Sequence, residues 1–252
     1  NMLNRRWVTA WRLFRSGKIK ELVSRTFKFL SSVNGKKNKI AYSEWRQKWV
    51  AISDEERQTI KDRIDSFPNH PSFTLLLDAQ GHDSAHVFET IKSILLQIYP
   101  NWQMWIQNYD SSGTELQEKI IELQDNRIKI VNSYPSEFGD WIIEIAPGTK
   151  LHETALFFNA FSSINKPVIQ VIYSDHDHVN PDGEFCDPYM KPDWNPDLFA
   201  AMNYFEPLVA FKRELWSNRK DGESDKHEFL LRVTNDITND EIFHISNVLV
   251  SA

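Results

Sequence analysis

Cysteine is nearly absent from this sequence: Cys186 is the only one among 252 residues. A single thiol excludes an intrachain disulfide framework and any zinc or iron–sulfur site built from several cysteines. It fits a reducing compartment. Long hydrophobic runs are absent as well. No apolar stretch reaches the roughly 18–20 residues that cross a bilayer, and no uninterrupted apolar core follows the basic N-terminal segment as it would in a signal peptide. Neither G-x-G-x-x-G nor G-x-S-x-G occurs, so the sequence offers no dinucleotide fingerprint and no nucleophile elbow. Internal repeats and low-complexity tracts are also missing.

What is present is an ordinary folding composition. Hydrophobic residues make up 41% and charged residues 25%, and nine Trp with 16 Phe argue against disorder. The length suits one large α/β domain or two small ones.

Charge is unevenly spread. The net charge is −6, yet residues 1–50 hold 13 Lys and Arg against two acids, leaving 16 basic and 33 acidic residues for the remainder. Such a split marks an arm with its own partner. In that arm Leu3, Trp7, Trp11 and Phe14 fall at helical spacing, and Ile19, Leu22, Val23, Phe27 and Leu30 continue the stripe after Ser16-Gly17. Residues 5–31 therefore read either as a basic amphipathic helix on an anionic membrane face or as a helix packed against the chain's own acidic body. The acidic body argues against nucleic acid as the partner. Deleting the arm separates the two readings: loss of liposome binding supports the membrane face, and unchanged binding ends it.

The pattern divides the chain into an arm and linker (1–40), a helical lead-in (41–70) and a larger domain (71–252). In the last, short apolar runs alternate with helical stretches. Strands are expected at Phe73–Leu77, Trp102–Ile106, Ile128–Val131, Trp141–Ile145 and Val168–Tyr173. Helices are expected at Ala85–Tyr99, Thr114–Leu123 and Leu151–Ile164. This order predicts a mostly parallel sheet covered on both faces. Ligands of such sheets sit beyond the carboxyl ends of the strands, here Asp78–Ser84, Gln107–Gly113, Ala146–Lys150 and Ser174–Gly183.

Several clusters fall there. Asp175-His176-Asp177-His178 supplies two carboxylates and two imidazoles. These could hold a divalent cation, but in an extended segment the two acids share one face and the histidines the other, and a solvated turn is the simpler reading. His82 and His86 share a helical face without a third ligand. Asp110-Ser111-Ser112-Gly113 is a polar turn without the lysine of a P-loop. Pro192-Asp193-Trp194-Asn195-Pro196-Asp197 combines two prolines, two acids and an indole, and reads either as a sugar-stacking surface or as a rigid loop.

The residues themselves carry a resemblance. Tyr42-Ser43-Glu44-Trp45, the stretch from Ile91 to Trp102, and above all Val171–Asp175 with Asp187-Pro188-Tyr189-Met190-Lys191-Pro192-Asp193-Trp194-Asn195-Pro196-Asp197-Leu198 and Asn203-Tyr204 resemble bacterial family-2 glycosyltransferases. The group in question builds surface polysaccharides such as O-antigen and rhamnose-rich polymers. The resemblance implies a Rossmann-like α/β domain of the GT-A type with an N-terminal helical extension, in the cytoplasm or peripheral on the inner face of the membrane. It further implies a nucleotide-sugar donor, a Mn2+ or Mg2+ ion on an acidic motif, a carboxylate base, and inversion by single displacement.

Carried over position by position, the functional slots have changed. The nucleotide-pocket slots after the first strand hold Asp78, Ala79, Gln80 and Gly81. Those after the second hold Asn108 and Tyr109, with Asp110 one position late. The metal motif is replaced by Ala146-Pro147-Gly148-Thr149. The base slot, anchored on Leu231-Arg232, holds Lys226, with Asp225 and Glu228 flanking it. The resemblance thus implies a domain that is catalytically silent or strongly altered, binding a nucleotide-sugar, a glycan or a partner transferase. Two alternatives stay open. One is an active enzyme with Asp175 and Asp177 as metal ligands and Glu228 or Asp225 as base. The other is a membrane-docking or scaffolding module for a partner transferase. The family continues past residue 250, so whether this chain is a domain of a longer protein also stays open.

Overall fold

The computed structural model describes residues 41–107, 114–134, 137–217 and 226–252. The basic arm, Asn108, Asp110 and Asp225 lie outside the described residues. The chain divides into two compact units, residues 1–45 and 46–252. In the first, Tyr42 stacks on Trp45 at 5.5 Å in the opening turn of helix α1 (Tyr42–Trp49).

The second unit carries the sheet. Helix α2 (Asp54–Asp65) starts with a complete capping box, Ser53 and Glu56 satisfying each other's backbone N–H groups. Then follow β1 (Phe73–Asp78), α3 (Ser84–Leu95), β2 (Trp102–Gln107), α4 (Thr114–Leu123), β3 (Ile128–Ile130), β4 (Trp141–Ile145), β5 (Lys150–Leu151) and α5 (Ala155–Asn165). The rest comprises β6 (Val171–Val179), β7 (Phe185–Tyr189), α6 (Pro196–Ala201), β8 (Val209–Lys212), α7 (Arg213–Ser217), α8 (Lys226–Asn235) and β9 (Ile242–Ser251).

The sheet order is β3-β2-β1-β4-β8-β6-β9-β5, with β7 hydrogen-bonded to β6. Strands β3, β2, β1 and β4 are parallel, with Leu76 level with Trp105 and Glu144. Beyond β4, strand β8 runs antiparallel between β4 and β6, while β6 and β9 are parallel. The four strands expected before residue 150 are present within a residue or two. The fifth is present but shifted, starting three residues later than expected. It begins at Val171 and continues to Val179, so Asp175–His178 lies in a strand and the solvated-turn reading is corrected. The acids are buried and paired, which lets the strand run on through them.

Alternation gives the sheet two faces. On one, Leu76, Ile142, Phe211, Val171 and Ile242 pack with Phe199, Leu215, Phe229 and Leu230 from α6, α7 and α8. On the other, Phe73 meets Tyr99 edge-on, and Phe67 stacks on Phe157 of α5 at 6.1 Å. Gly139 sits at the entrance to β4, where its N–H donates to Thr74 Oγ1 at 2.8 Å. A Cβ there would lie 2.9 Å from the Ser72 carbonyl oxygen, a backbone atom that cannot turn aside. Gly139→Ala is therefore expected to destabilise the fold by about 1–3 kcal/mol, read as a lowered urea midpoint at unchanged slope.

Candidate functional site

The parallel register lines up the carboxyl ends of three strands. Asp78 of β1 is level with Gln107 of β2, and Leu77 with Ile145 of β4. Asp78 is exposed there, and its Oδ1 accepts the Gln80 N–H at 3.0 Å. Gly81 takes φ +74 in the turn that follows, and Asp83 then caps α3 by accepting the His86 N–H. The Asp83 carboxyl is held below the usual range by that backbone bond and by the His86 ring. His86 therefore answers to Asp83 at 2.7 Å, in its own helical turn.

The turn after β4, Ala146-Pro147-Gly148-Thr149, is tied down by its backbone. Gly148, at φ +90, donates its N–H to the His86 carbonyl and to Thr90 Oγ1, and Thr149 donates to the Ala146 carbonyl. No side chain of this turn bears a charge. The charge at the strand end comes from elsewhere: Lys226, the first residue of α8, places its Nζ 3.4 Å from the Glu144 carbonyl and 3.2 Å from Glu206 Oε1. Glu206 precedes Pro207 in a cis peptide at the approach to β8. Glu228 lies exposed in the first turn of α8.

Asp175 and Asp177 of β6 are 3% and 0% exposed. Asp175 Oδ1 accepts the Lys191 N–H at 2.8 Å and lies 2.8 Å from His244 Nε2. The other nitrogen of that imidazole is 3.2 Å from Asp193 Oδ1, so one ring bridges two carboxylates. Asp177 accepts from Arg46 Nε at 2.8 Å and from the Ser251 hydroxyl. The Arg46 guanidinium also lies 3.3 Å over the Phe185 ring.

The remaining candidates are tied to the packing of the 191–205 loop. Trp194 packs against Phe199 and Phe205 and donates its Nε1–H to Asn239. Asn195 caps α6 through the Leu198 N–H, and Asp197 stands exposed in that helix's first turn. Lys191, which the sequence offered only as part of the resemblance, proves to be a buried ammonium. It is 6% exposed, its Nζ donates to the Phe205 carbonyl, and burial pushes its pKa down to about 7. Neither Lys191 nor Glu206 carried a chemical signal in the sequence, because their partners lie in other elements.

No protein-family profile matches the chain. It is 28% identical over 221 residues to an uncharacterised protein, y4gI, of Sinorhizobium fredii, covering 78% of this chain and 24% of that one. It is 21% identical over 225 residues to the O-antigen biosynthesis protein RfbC of Myxococcus xanthus, covering 81% and 18%. The chain thus spans about a quarter or less of these relatives' length. Among solved structures, S. aureus TarS superposes with a TM-score of 0.53 at 12% identity over 72% of this chain and 60% of that one. A Pyrobaculum calidifontis mannosyltransferase bound to GDP-Man and Mn2+ gives 0.50 at 12% over 79% and 63%. Mycobacterium tuberculosis glucosyl-3-phosphoglycerate synthase, with UDP, Mn2+ and glucosyl-3-phosphoglycerate, gives 0.50 at 13% over 79% and 77%.

The chain has the GT-A glycosyltransferase fold. In two of those GT-A structures Mn2+ accompanies the nucleotide or nucleotide-sugar, so the fit of a cation to this donor set can be tested. The turn after β4 offers no carboxylate. Asp175 and Asp177 are engaged by a backbone amide, an imidazole, a guanidinium and a hydroxyl. Among the described residues, no group of three or more His, Cys, Asp or Glu side chains could hold a metal. The described donor set does not fit the ion.

Two histidines around these acids set a pH response. Burial, joined by the Arg46 charge, pushes His152 down to about 4, and burial, joined by Lys191, does the same to His176. An unfolded histidine titrates near pH 6.5. Between about pH 6.5 and 4 the unfolded chain therefore binds more protons than the folded one, and stability falls as the pH drops through that window. Urea midpoints at pH 7 and pH 5 should show the loss, and His152→Gln should flatten it.

Proposed function

We propose that this chain is a GT-A domain of bacterial surface-polysaccharide assembly that binds a nucleotide-sugar without the metal-dependent transfer chemistry of the fold. One observation carries the reading. The strand end where a cation would meet the diphosphate carries an uncharged turn, and a lysine fills the slot of the base. A missing base alone costs roughly 10²–10⁴-fold in rate, and an unneutralised diphosphate adds to that. The RfbC relative supports the O-antigen setting, and the nucleotide-bearing structures support the class of ligand.

The retained residues then have a binding and positioning role. Asp78 and Gln80 would face the nucleotide beside the β1 end, and the domain would hold the donor or present itself to a partner transferase on the inner face of the membrane. No helix among the described residues is long and apolar enough to cross a membrane.

The test is turnover. Purified protein supplied with UDP-, dTDP- and GDP-sugars, Mn2+ and a surface-polysaccharide acceptor should bind at least one donor yet transfer no sugar above background. Sustained, protein-dependent transfer would overturn the proposal.

A further inference from the structure

The corner formed by β4, the 203–208 loop and the start of α8 carries more than a lost metal site. The β4–β8 ladder ends at Ile143 level with Ala210. One residue on, the Glu144 carbonyl accepts from Lys226 Nζ at 3.4 Å. An ammonium is thereby fixed beside the carboxyl end of β4, next to the turn that holds no acid. Its side chain is 20% exposed, and its carboxylate partner Glu206 is 43% exposed. Lys191, buried behind, interacts with Glu206 by attraction and with Lys226 by repulsion. One half-exposed carboxylate thus serves as counter-ion to the Lys226 ammonium, with the Lys191 amine buried nearby.

We infer that the Lys226 ammonium receives the diphosphate of a nucleotide donor in place of a divalent cation, with Glu206 as the carboxylate that the diphosphate displaces. This rests on the nucleotide-binding reading above and says how that binding is neutralised. A lysine serves phosphate as a compact point charge. A diphosphate carries more charge than Glu206 and competes for the same ammonium.

Calorimetric titration with UDP, GDP and inorganic pyrophosphate, each in EDTA and again with Mn2+, tests the inference. Affinities should be the same with and without Mn2+ and should fall as salt rises. Lys226→Gln removes the charge while keeping a polar side chain, one atom shorter, and should weaken binding about tenfold or more, the scale of one charge-assisted hydrogen bond. Lys226→Arg should stay within about threefold, since the charge is kept. Glu206→Gln should tighten binding, because the competing carboxylate is gone. Melting curves check that each variant folds, and if Lys226→Gln does not, the Glu206→Gln and Lys226→Arg pair decides.

Binding that needs Mn2+, or that Lys226→Gln leaves unchanged, or that Glu206→Gln weakens, overturns the lysine assignment while the nucleotide-binding reading stands. No binding of any probe by the wild-type protein removes that reading, and this inference with it.

Discussion

Asp175 and Asp177 stand two residues apart on β6, both out of contact with water, and the second half of the structure is arranged around that fact. An isolated carboxylate in a protein interior costs several kcal/mol unless donors replace its lost hydration. The donors here come from far along the chain. Arg46 is 131 residues from Asp177, and His244 is 69 residues from Asp175. Meeting the demand ties the end of α1 to β6, fixes β9 against β6 through Ser251 and His244, and draws the 190–195 loop over the strand through the Lys191 amide and Asp193. Removing a single donor would leave a buried carboxyl with fewer partners, a cost that the exposed Lys119–Glu115 pair does not carry.

The same constraint separates frame from chemistry. Carboxylates spent on holding a strand, a loop and a helix together are poor candidates for a cation, which needs lone pairs free to face it. The aromatic group beside them is equally committed. Tyr173 stacks on Phe205 at 4.2 Å and on His244 at 4.8 Å, and its hydroxyl donates to the Pro192 carbonyl. Tyr204 exchanges hydrogen bonds with the Asn195 backbone. The long block from Asp187 to Tyr204 that carries the resemblance therefore contains many of the residues that build the packing. A strong match in that block reports the GT-A frame and says little about turnover.

How much could be read from the sequence follows from where each signal lies. Strands β1, β2 and β4 were legible because central parallel strands are buried on both faces and leave short apolar runs, such as Phe73–Leu77. The amphipathic α3 was legible through Val87, Ile91 and Ile94. The acidic stretch of β6 was misread because charge ordinarily marks the surface, and the partners that bury it lie too far away in sequence to be paired by eye. Strands β8 and β9 went unread for a related reason. His244, Ser246 and Asn247 interrupt the apolar pattern of β9, and its place beside β6 is fixed by long-range pairing. At the candidate site the lost motifs were visible as residue types. The contact of Lys226 with β4 spans 82 residues and was not.

A bound divalent cation and a tethered ammonium answer the same electrostatic demand by different means. The cation needs carboxylates gathered and held against their mutual repulsion, and its charge is free to leave. The ammonium brings one charge on a stem anchored in a helix and needs only an acceptor to fix its direction, here the Glu144 carbonyl where the β4–β8 ladder gives out. Placing it there makes a carboxylate-rich turn after β4 unnecessary, because acids in that turn would bind the lysine themselves and cancel its charge. On the proposed reading, the uncharged Ala146–Thr149 turn and Lys226 are two sides of one arrangement. Glu206, half-exposed and reachable by solvent, is left as the exchangeable counter-ion.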